Sequence, residues 1–183
     1  PQITKIADEL LASAASDEDV DLISEFAFPM PATVIAHILG VPPKDLGKFR
    51  AWSNDLATVI GNSRKVENRF DIGTRALLNL TEYFRETVSI RSGSGFAGRL
   101  IDELIESHNA DGIMTKDELI GTCILILFAG HETTMHLIGN GVALLLKNPA
   151  EHEKIQANPA LIPTMVEEVL RYESSVFAIV RVA

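Results

Sequence analysis

The chain has 183 residues, of which 46% are hydrophobic and 22% are charged, enough to bury the core of a single domain. Its 25 acidic residues outnumber its 16 basic ones, for a formal net charge of −9, so nucleic acid and anionic membrane surfaces are poor partners. It has no signal-peptide pattern and no run of roughly 18 to 20 apolar residues, so we expect a cytoplasmic protein without a membrane span.

The first third of the chain predicts three helices, because apolar residues recur three and four positions apart. The second of these helices is expected to begin after a cap at Asp17 or Asp19. Pro29 and Pro31 should bend it, since proline removes a backbone donor. Gly40 and the prolines that follow it end the helix, and a third helix follows PPKD and contains Phe49, Trp52, Leu56 and Ile60.

A long helix is predicted from about Arg64 to about Ile90. Its apolar face is formed by Phe70, Leu77, Leu80 and Phe84. After a shorter helix, the turn-forming residues of SHNADG, positions 107–112, predict a loop.

The best-defined helix starts at a capping box formed by Thr115 and Glu118 and continues to about Lys147. Some thirty helical residues would be about 45 Å long, more than the diameter of many small domains. Its centre, CILILFAG, is apolar on every side, which predicts a central helix surrounded by others. Two short helices follow, and VFAIVRV, positions 176–182, predicts a short C-terminal β-strand.

The stretch AGHETTMH, residues 129–136, places His131, Glu132 and His136 on the central helix. Two histidines must lie four residues apart to reach one zinc ion from a helix. Here they are five apart, about 140° around the axis, so we reject a zinc site and expect packing or rim positions for both histidines.

Glu132 is costly in a buried helix unless a partner or a function needs it. Thr133 and Thr134 can bond back to helix carbonyls and loosen the turn, and Ala129 and Gly130 add almost no side-chain bulk. A structural interpretation is that Gly130 permits close helix packing and Glu132 forms an ion pair. The combination of small residues, an acid and alcohols favours a functional site.

A second group of candidate residues lies near the C-terminus. Glu168 and Arg171 are three residues apart and can form an ion pair, which on a surface is worth at most about 1 kcal/mol. Val166, Val169 and Leu170 predict that the helix is packed. Arg181 stands in an apolar strand, where a cation needs an anionic partner.

Together these residues resemble the cytochrome P-450 haem-thiolate monooxygenases. AGHETT is similar to the Ala/Gly-Gly-x-Asp/Glu-Thr signature of their central helix, and Glu168 with Arg171 matches their Glu-x-x-Arg helix. RYESSVFAIVRVA resembles the strand that follows, and residues 21–55 resemble the segment before the substrate lid of soluble bacterial members. The chain is therefore identified as a single partial domain of this family, residues 1–183, with a mainly α-helical core.

The resemblance implies a haem b cofactor, with Glu132 and Thr133 as the acid–alcohol pair that delivers protons to dioxygen. Glu168 and Arg171 would be a structural ion pair. Haem contacts are implied for Ala129, Gly130, Thr134 and Arg181, and substrate contacts for Val176, Phe177, Ala178 and the lid helix around residues 52–60. The implied reaction hydroxylates a small apolar molecule with O2 and two electrons from a ferredoxin-type or flavin-type donor.

The sequence departs from the family pattern in three places. The loop with the cysteine that ligates the iron is absent, and Cys123 lies on the central helix, on the wrong side of the haem to replace it. The N-terminal helix that contacts the other haem propionate is missing, and Ser175 stands where proline is common. We therefore expect a fragment, cut at both ends, without a metal ligand and inactive alone.

Two alternatives remain open on the sequence. One is a non-enzymatic helical module that holds an apolar ligand along its central helix. The other, disfavoured by spacing, is a metal-dependent hydrolase that uses His131, Glu132 and His136.

Overall fold

The computed structural model describes residues 2–15, 19–60, 66–91, 100–111, 114–176 and 178, and of residues 109–111 only the backbone. These residues form eight α-helices, which confirms the mainly α-helical fold class: α1 Gln2–Ala14, α2 Pro29–Leu39, α3 Leu46–Ile60, α4 Arg69–Arg91, α5 Leu100–Asp111, α6 Lys116–Lys147, α7 Pro149–Ala157 and α8 Ile162–Tyr172. No β-strand occurs among them. The predicted strand falls mostly on Phe177 and residues 179–183, which lie outside the described residues.

The chain groups into two compact units. The first comprises Pro1–Pro31 and His131–Ala183, and the second comprises Ala32–Gly130. The boundaries fall inside α2 and α6, so each of these helices contributes to both units. That the chain is one partial domain stays a prediction.

The core of the second unit is built from the buried faces of α2 to α6. Its largest fully buried side chains are Leu39, Leu80, Phe84, Ile101, Leu119 and Leu127. On α4, Leu80 and Phe84 are buried as predicted, whereas Phe70 is 63% exposed and Leu77 is 45% exposed. The expectation for these two residues was wrong, because the neighbouring helices cover only a narrow stripe of α4.

The structure corrects two expectations for the second helix, its cap and the effect of Pro29. Asp21 caps the second helical segment, since its Oδ1 accepts a hydrogen bond from the Ile23 backbone N–H at 3.0 Å. Of the predicted caps, Asp19 lies before this turn and Asp17 lies outside the described residues. A π-helical turn, Ile23–Ala27, precedes α2. Pro29 then occupies the first position of α2, where its missing N–H costs little.

Helix α5 continues to Asp111, where the sequence predicted a loop from position 107. Ile101 and Ile105 anchor it in the core of the second unit. Residues such as Ser107 and Asn109 oppose a helix by less than about 1 kcal/mol each, so the anchored helix continues through them.

Helix α6 has 32 residues and begins at the predicted capping box. The Thr115 backbone N–H donates to Glu118 Oε2 at 2.7 Å, and the Glu118 backbone N–H donates to Thr115 Oγ1 at 3.2 Å. The hydrogen bonds that Thr115 donates to the Glu118 carboxylate, from its backbone N–H and from its hydroxyl, lower the pKa of Glu118. The prediction that α6 is covered on every side was wrong, because Leu125 is 64% exposed. Among the described residues, no helix combines the length and apolar composition needed to cross a bilayer.

A buried ion pair ties together three parts of the second unit. Arg91, at the end of α4, donates from Nη1 to Asp102 Oδ1 at 2.8 Å and from Nη2 to the Gly40 carbonyl oxygen at 2.8 Å. The Asp102 side chain is only 5% exposed. Gly40 has φ +70°, and a side chain there would collide with the Arg91 guanidinium.

We expect Arg91→Met to lower the free energy of unfolding by about 3–5 kcal/mol, because it leaves the Asp102 carboxylate buried without its cation. Urea unfolding followed by circular dichroism measures this loss. The matched control is Arg85→Met on the same helix, since Arg85 pairs with Glu82 at the surface. Equal effects of the two changes would contradict the importance of the buried pair.

Candidate functional site

One face of α6 is exposed in the described residues. Leu125, Ala129 and Thr133 are all exposed and follow one another at intervals of four residues. Such residues lie above one another on one side of a helix. The helix continues without a break through Thr133 and Thr134, so the threonines do not interrupt it.

Glu132 lies beside this face, with its side chain 17% exposed. Its Oε1 is 3.3 Å from Nε2 of His136, and its Oε2 is 3.7 Å from Nε2 of His131. Oε2 is buried and accepts no hydrogen bond. A carboxylate oxygen shut off from water in this way is costly unless a partner or a function needs it.

The two histidines have different surroundings. His131 is 2% exposed and packs edge-to-face against the ring of Phe28, with 5.6 Å between ring centroids. His136 has a half-exposed side chain, one helical turn beyond Glu132. Among the described residues, no group of three or more His, Cys, Asp or Glu side chains is arranged to hold a metal ion.

Gly130 faces another helix of the second unit. A Cβ atom at this position would collide with Cδ1 of Ile35 on α2. The absence of a side chain therefore allows α2 and α6 to approach closely, which is the structural interpretation of this glycine. The haem contact implied for Gly130 stays a prediction.

The segment after α8 lies against α6 within the first unit. Thr133, Thr134 and Val176 line a cavity of about 190 Å³, so predicted proton-handling, haem-contacting and substrate-contacting residues meet in one place. Val176 is 47% exposed. Ala178 is exposed, while Phe177 and Arg181 lie outside the described residues. The proposed haem contact of Arg181 stays a prediction.

Glu168 and Arg171 form the predicted ion pair on α8. The Arg171 guanidinium donates from Nε to Glu168 Oε2 at 2.8 Å and from Nη2 to Oε1 at 2.6 Å. The hydrogen bonds from Arg171 lower the pKa of Glu168. Both side chains are more than half exposed. Val169 is buried, but Leu170 and Val166 are only partly covered, so α8 is packed along one narrow stripe.

A larger cavity, of about 660 Å³, lies elsewhere in the first unit, between the C-terminal end of α6 and helices α7 and α8. Leu145, Ile155, Met165 and Val169 line it, with Glu168 among them. The α6 residues that line this cavity begin at Gly141, nine residues beyond Glu132. The larger of the two cavities is therefore not the one beside the candidate site residues.

Cys123 is fully buried on α6, in the core of the second unit. Burial raises the pKa of its thiol to about 11. Metal ligation and nucleophilic attack both need the thiolate, and this environment opposes thiolate formation.

We therefore expect the Cys123 thiol of the native chain to resist an aromatic disulfide reagent at pH 8 and to react fully once the chain is unfolded in guanidinium. Absorbance of the released thiolate measures both rates, and free glutathione is the control. A native rate close to that of glutathione would show that the thiol is accessible.

The sequence interpretation gave His136 a packing or rim position and missed its pairing with Glu132, and it did not identify Leu125 as exposed. His136 pairs with Glu132, and the signal was their spacing of four residues, which places them on one helix face. Leu125 continues the exposed face of Ala129 and Thr133, and the same spacing could have identified it.

The Cytochrome P450 family model matches residues 33–162, which is more than half of the chain. The chain belongs to the cytochrome P450 family. This confirms the resemblance that the sequence motifs indicated.

Particular P450 relatives cover nearly all of the chain. It is 38% identical over 177 residues to the vitamin D(3) 25-hydroxylase of Pseudonocardia autotrophica, covering 96% of this chain and 42% of that protein. It is 36% identical to the biotin biosynthesis cytochrome P450 of Bacillus subtilis, covering 100% of this chain and 46% of that one. The chain thus spans less than half the length of these P450 relatives.

Solved structures agree with this assignment. The crystal structure of the myxobacterial cytochrome P450 CYP267B1 in complex with myristic acid matches 95% of this chain and 42% of that one, with a TM-score of 0.87 and 35% identity. The helical core of the chain is therefore a P450 core.

Proposed function

We propose that this chain contributes the proton-handling side of the active site of a P450 monooxygenase. The observation that carries the proposal is the Glu132 carboxylate, with one oxygen buried and unbonded, next to Thr133 on an exposed apolar face of α6. An acid and an alcohol in adjacent helix positions can pass a proton to a group bound at that face.

The residues of this face fit a haem. Leu125 and Ala129 are exposed apolar residues of α6, and Thr133 follows Ala129 one helical turn later. When bound, haem iron supplies the binding and reductive activation of dioxygen. We propose Ala129, Gly130 and Thr134 as haem contacts, together with Arg181 for a propionate.

Glu132 and Thr133 act as the proton carriers in this proposal. His136 holds Glu132 Oε1 and is half exposed, so it links the carboxylate to water. The other oxygen, Oε2, is buried away from solvent. Protons would therefore pass from solvent through His136 and Glu132 toward the Thr133 hydroxyl.

The proposed substrate is a small apolar molecule that becomes hydroxylated. The 25-hydroxylase acts on vitamin D(3), and CYP267B1 was solved with myristic acid; both molecules are largely apolar. We place Val176, Phe177 and Ala178 and the helix around residues 52–60 beside the substrate. Trp52 packs edge-to-face against Phe49 in this part of α3. A ferredoxin-type or flavin-type protein would donate the electrons, in the cytoplasm.

In the full-length, haem-loaded enzyme, we expect Glu132→Gln to lower the rate of product formation by about a hundredfold, because general acid–base catalysis contributes at least that much. Thr133→Ala should divert electrons from product to hydrogen peroxide. Product and peroxide are measured together, and the absorption spectrum confirms that haem loading is unchanged.

Thr122→Ala is the matched control, since Thr122 lies on the same helix and its hydroxyl bonds to the Glu118 carbonyl oxygen at 2.8 Å. Its rate should stay close to that of the wild type. Unchanged rate and peroxide yield in both Glu132→Gln and Thr133→Ala would overturn the acid–alcohol proposal.

We also propose that the 183-residue chain alone is inactive and does not bind haem through a thiolate, because its one cysteine is the buried Cys123. Haem-loaded chain, reduced and exposed to carbon monoxide, should lack a strongly red-shifted Soret band. The Cys123→Ala variant should give the same spectrum. A strongly red-shifted band that disappears in Cys123→Ala would contradict the proposal.

A further inference from the structure

Two hydrogen bonds attach the segment after α8 to α6 within the first unit. Ser175 Oγ donates to the backbone carbonyl oxygen of Thr133 at 2.7 Å. The Asn140 amide donates from Nδ2 to the Glu173 carbonyl oxygen at 3.0 Å. The segment of residues 173–175 is therefore attached at two points that are about two helical turns apart on α6.

The backbone of Thr133 accepts the hydrogen bond from Ser175. Thr133 also carries the hydroxyl that is proposed to deliver protons. A carbonyl oxygen has two lone pairs, so the Thr133 carbonyl can accept from Ser175 in addition to its helix hydrogen bond. The same peptide plane joins Thr133 to Thr134. The Thr133 Cα is one of the atoms of this plane, so a bond that holds the plane restrains the position from which the Thr133 side chain leaves the helix.

We infer that Ser175 is a positioning residue: its hydroxyl holds the Thr133 peptide of α6 and thereby the orientation of the proton-delivering hydroxyl. The inference rests on the proposed function of Thr133. Proline, which is common at this place in the family pattern, has no side-chain donor and could not make this bond. The arrangement is therefore a property of this chain's own sequence, and it explains how residue 175 can influence α6 without touching the reacting atoms.

The bond itself is tested by NMR on the 183-residue chain labelled with 13C and 15N in threonine only. Thr133–Thr134 is the one Thr-Thr pair in the sequence, so a carbonyl-to-nitrogen correlation experiment gives a single cross-peak, from the Thr133 carbonyl. We expect Ser175→Ala to move this carbonyl resonance to lower frequency. Ser175→Thr, which keeps a hydroxyl, should leave it close to the wild-type position.

Ser174→Ala is the matched control for the spectrum. The Ser174 hydroxyl bonds to Val176, one residue beyond Ser175, and does not reach α6 in the described residues. It should leave the Thr133 resonance in place. An unchanged resonance in Ser175→Ala, or an equal displacement in Ser174→Ala, would overturn the inference.

The consequence is tested on the full-length, haem-loaded enzyme. We expect Ser175→Ala to raise the peroxide released per product by between about twofold and tenfold, the range for one lost hydrogen bond. Ser175→Thr should restore the wild-type ratio, which a merely structural defect would not predict. An unchanged ratio in Ser175→Ala, with Thr133→Ala still releasing peroxide, would overturn the positioning inference alone. If Thr133→Ala also leaves the ratio unchanged, the proposed function itself fails.

Discussion

The desolvated carboxylate of Glu132 is the constraint on which the rest of this site depends. One of its oxygens is buried without a hydrogen bond, and the other reaches an imidazole that is half exposed. A helix does not retain such a group for stability, because burial of an unbonded polar atom costs free energy. The carboxylate therefore has one oxygen in a dry environment and one beside a half-exposed imidazole, and the proposed proton transfer uses this difference.

Near Glu132, one face of α6 packs closely against α2 and a neighbouring face is exposed. Gly130 lacks a side chain so that Ile35 of α2 can pack closely within the second unit. On the neighbouring face Leu125, Ala129 and Thr133 are exposed and unobstructed. Small residues thus satisfy close packing on one side and leave room on the other, which is why a short motif on a single helix can specify both.

Much of the fold was predictable from local patterns. The capping box at Thr115 fixed the start of α6, because its reciprocal hydrogen bonds involve only residues within one turn. The Glu168–Arg171 pair was predictable for the same reason, at a spacing of three on a helix. Errors arose where neighbours in space decide: Leu77 and Leu125 have core-type side chains, yet they are 45% and 64% exposed.

The sequence by itself determined the helical class, the order of the helices, the P450 family and the identity of Glu132 and Thr133 as candidates. The helical class and the order of the helices follow from periodicity along the chain, and the family follows from the resemblance of short motifs. Only the tertiary structure decided that Gly130 faces Ile35 and that Ser175 reaches the Thr133 carbonyl across 42 positions. Contacts of this kind depend on how separate elements pack. No local pattern in the sequence predicts which distant residues the packing brings together.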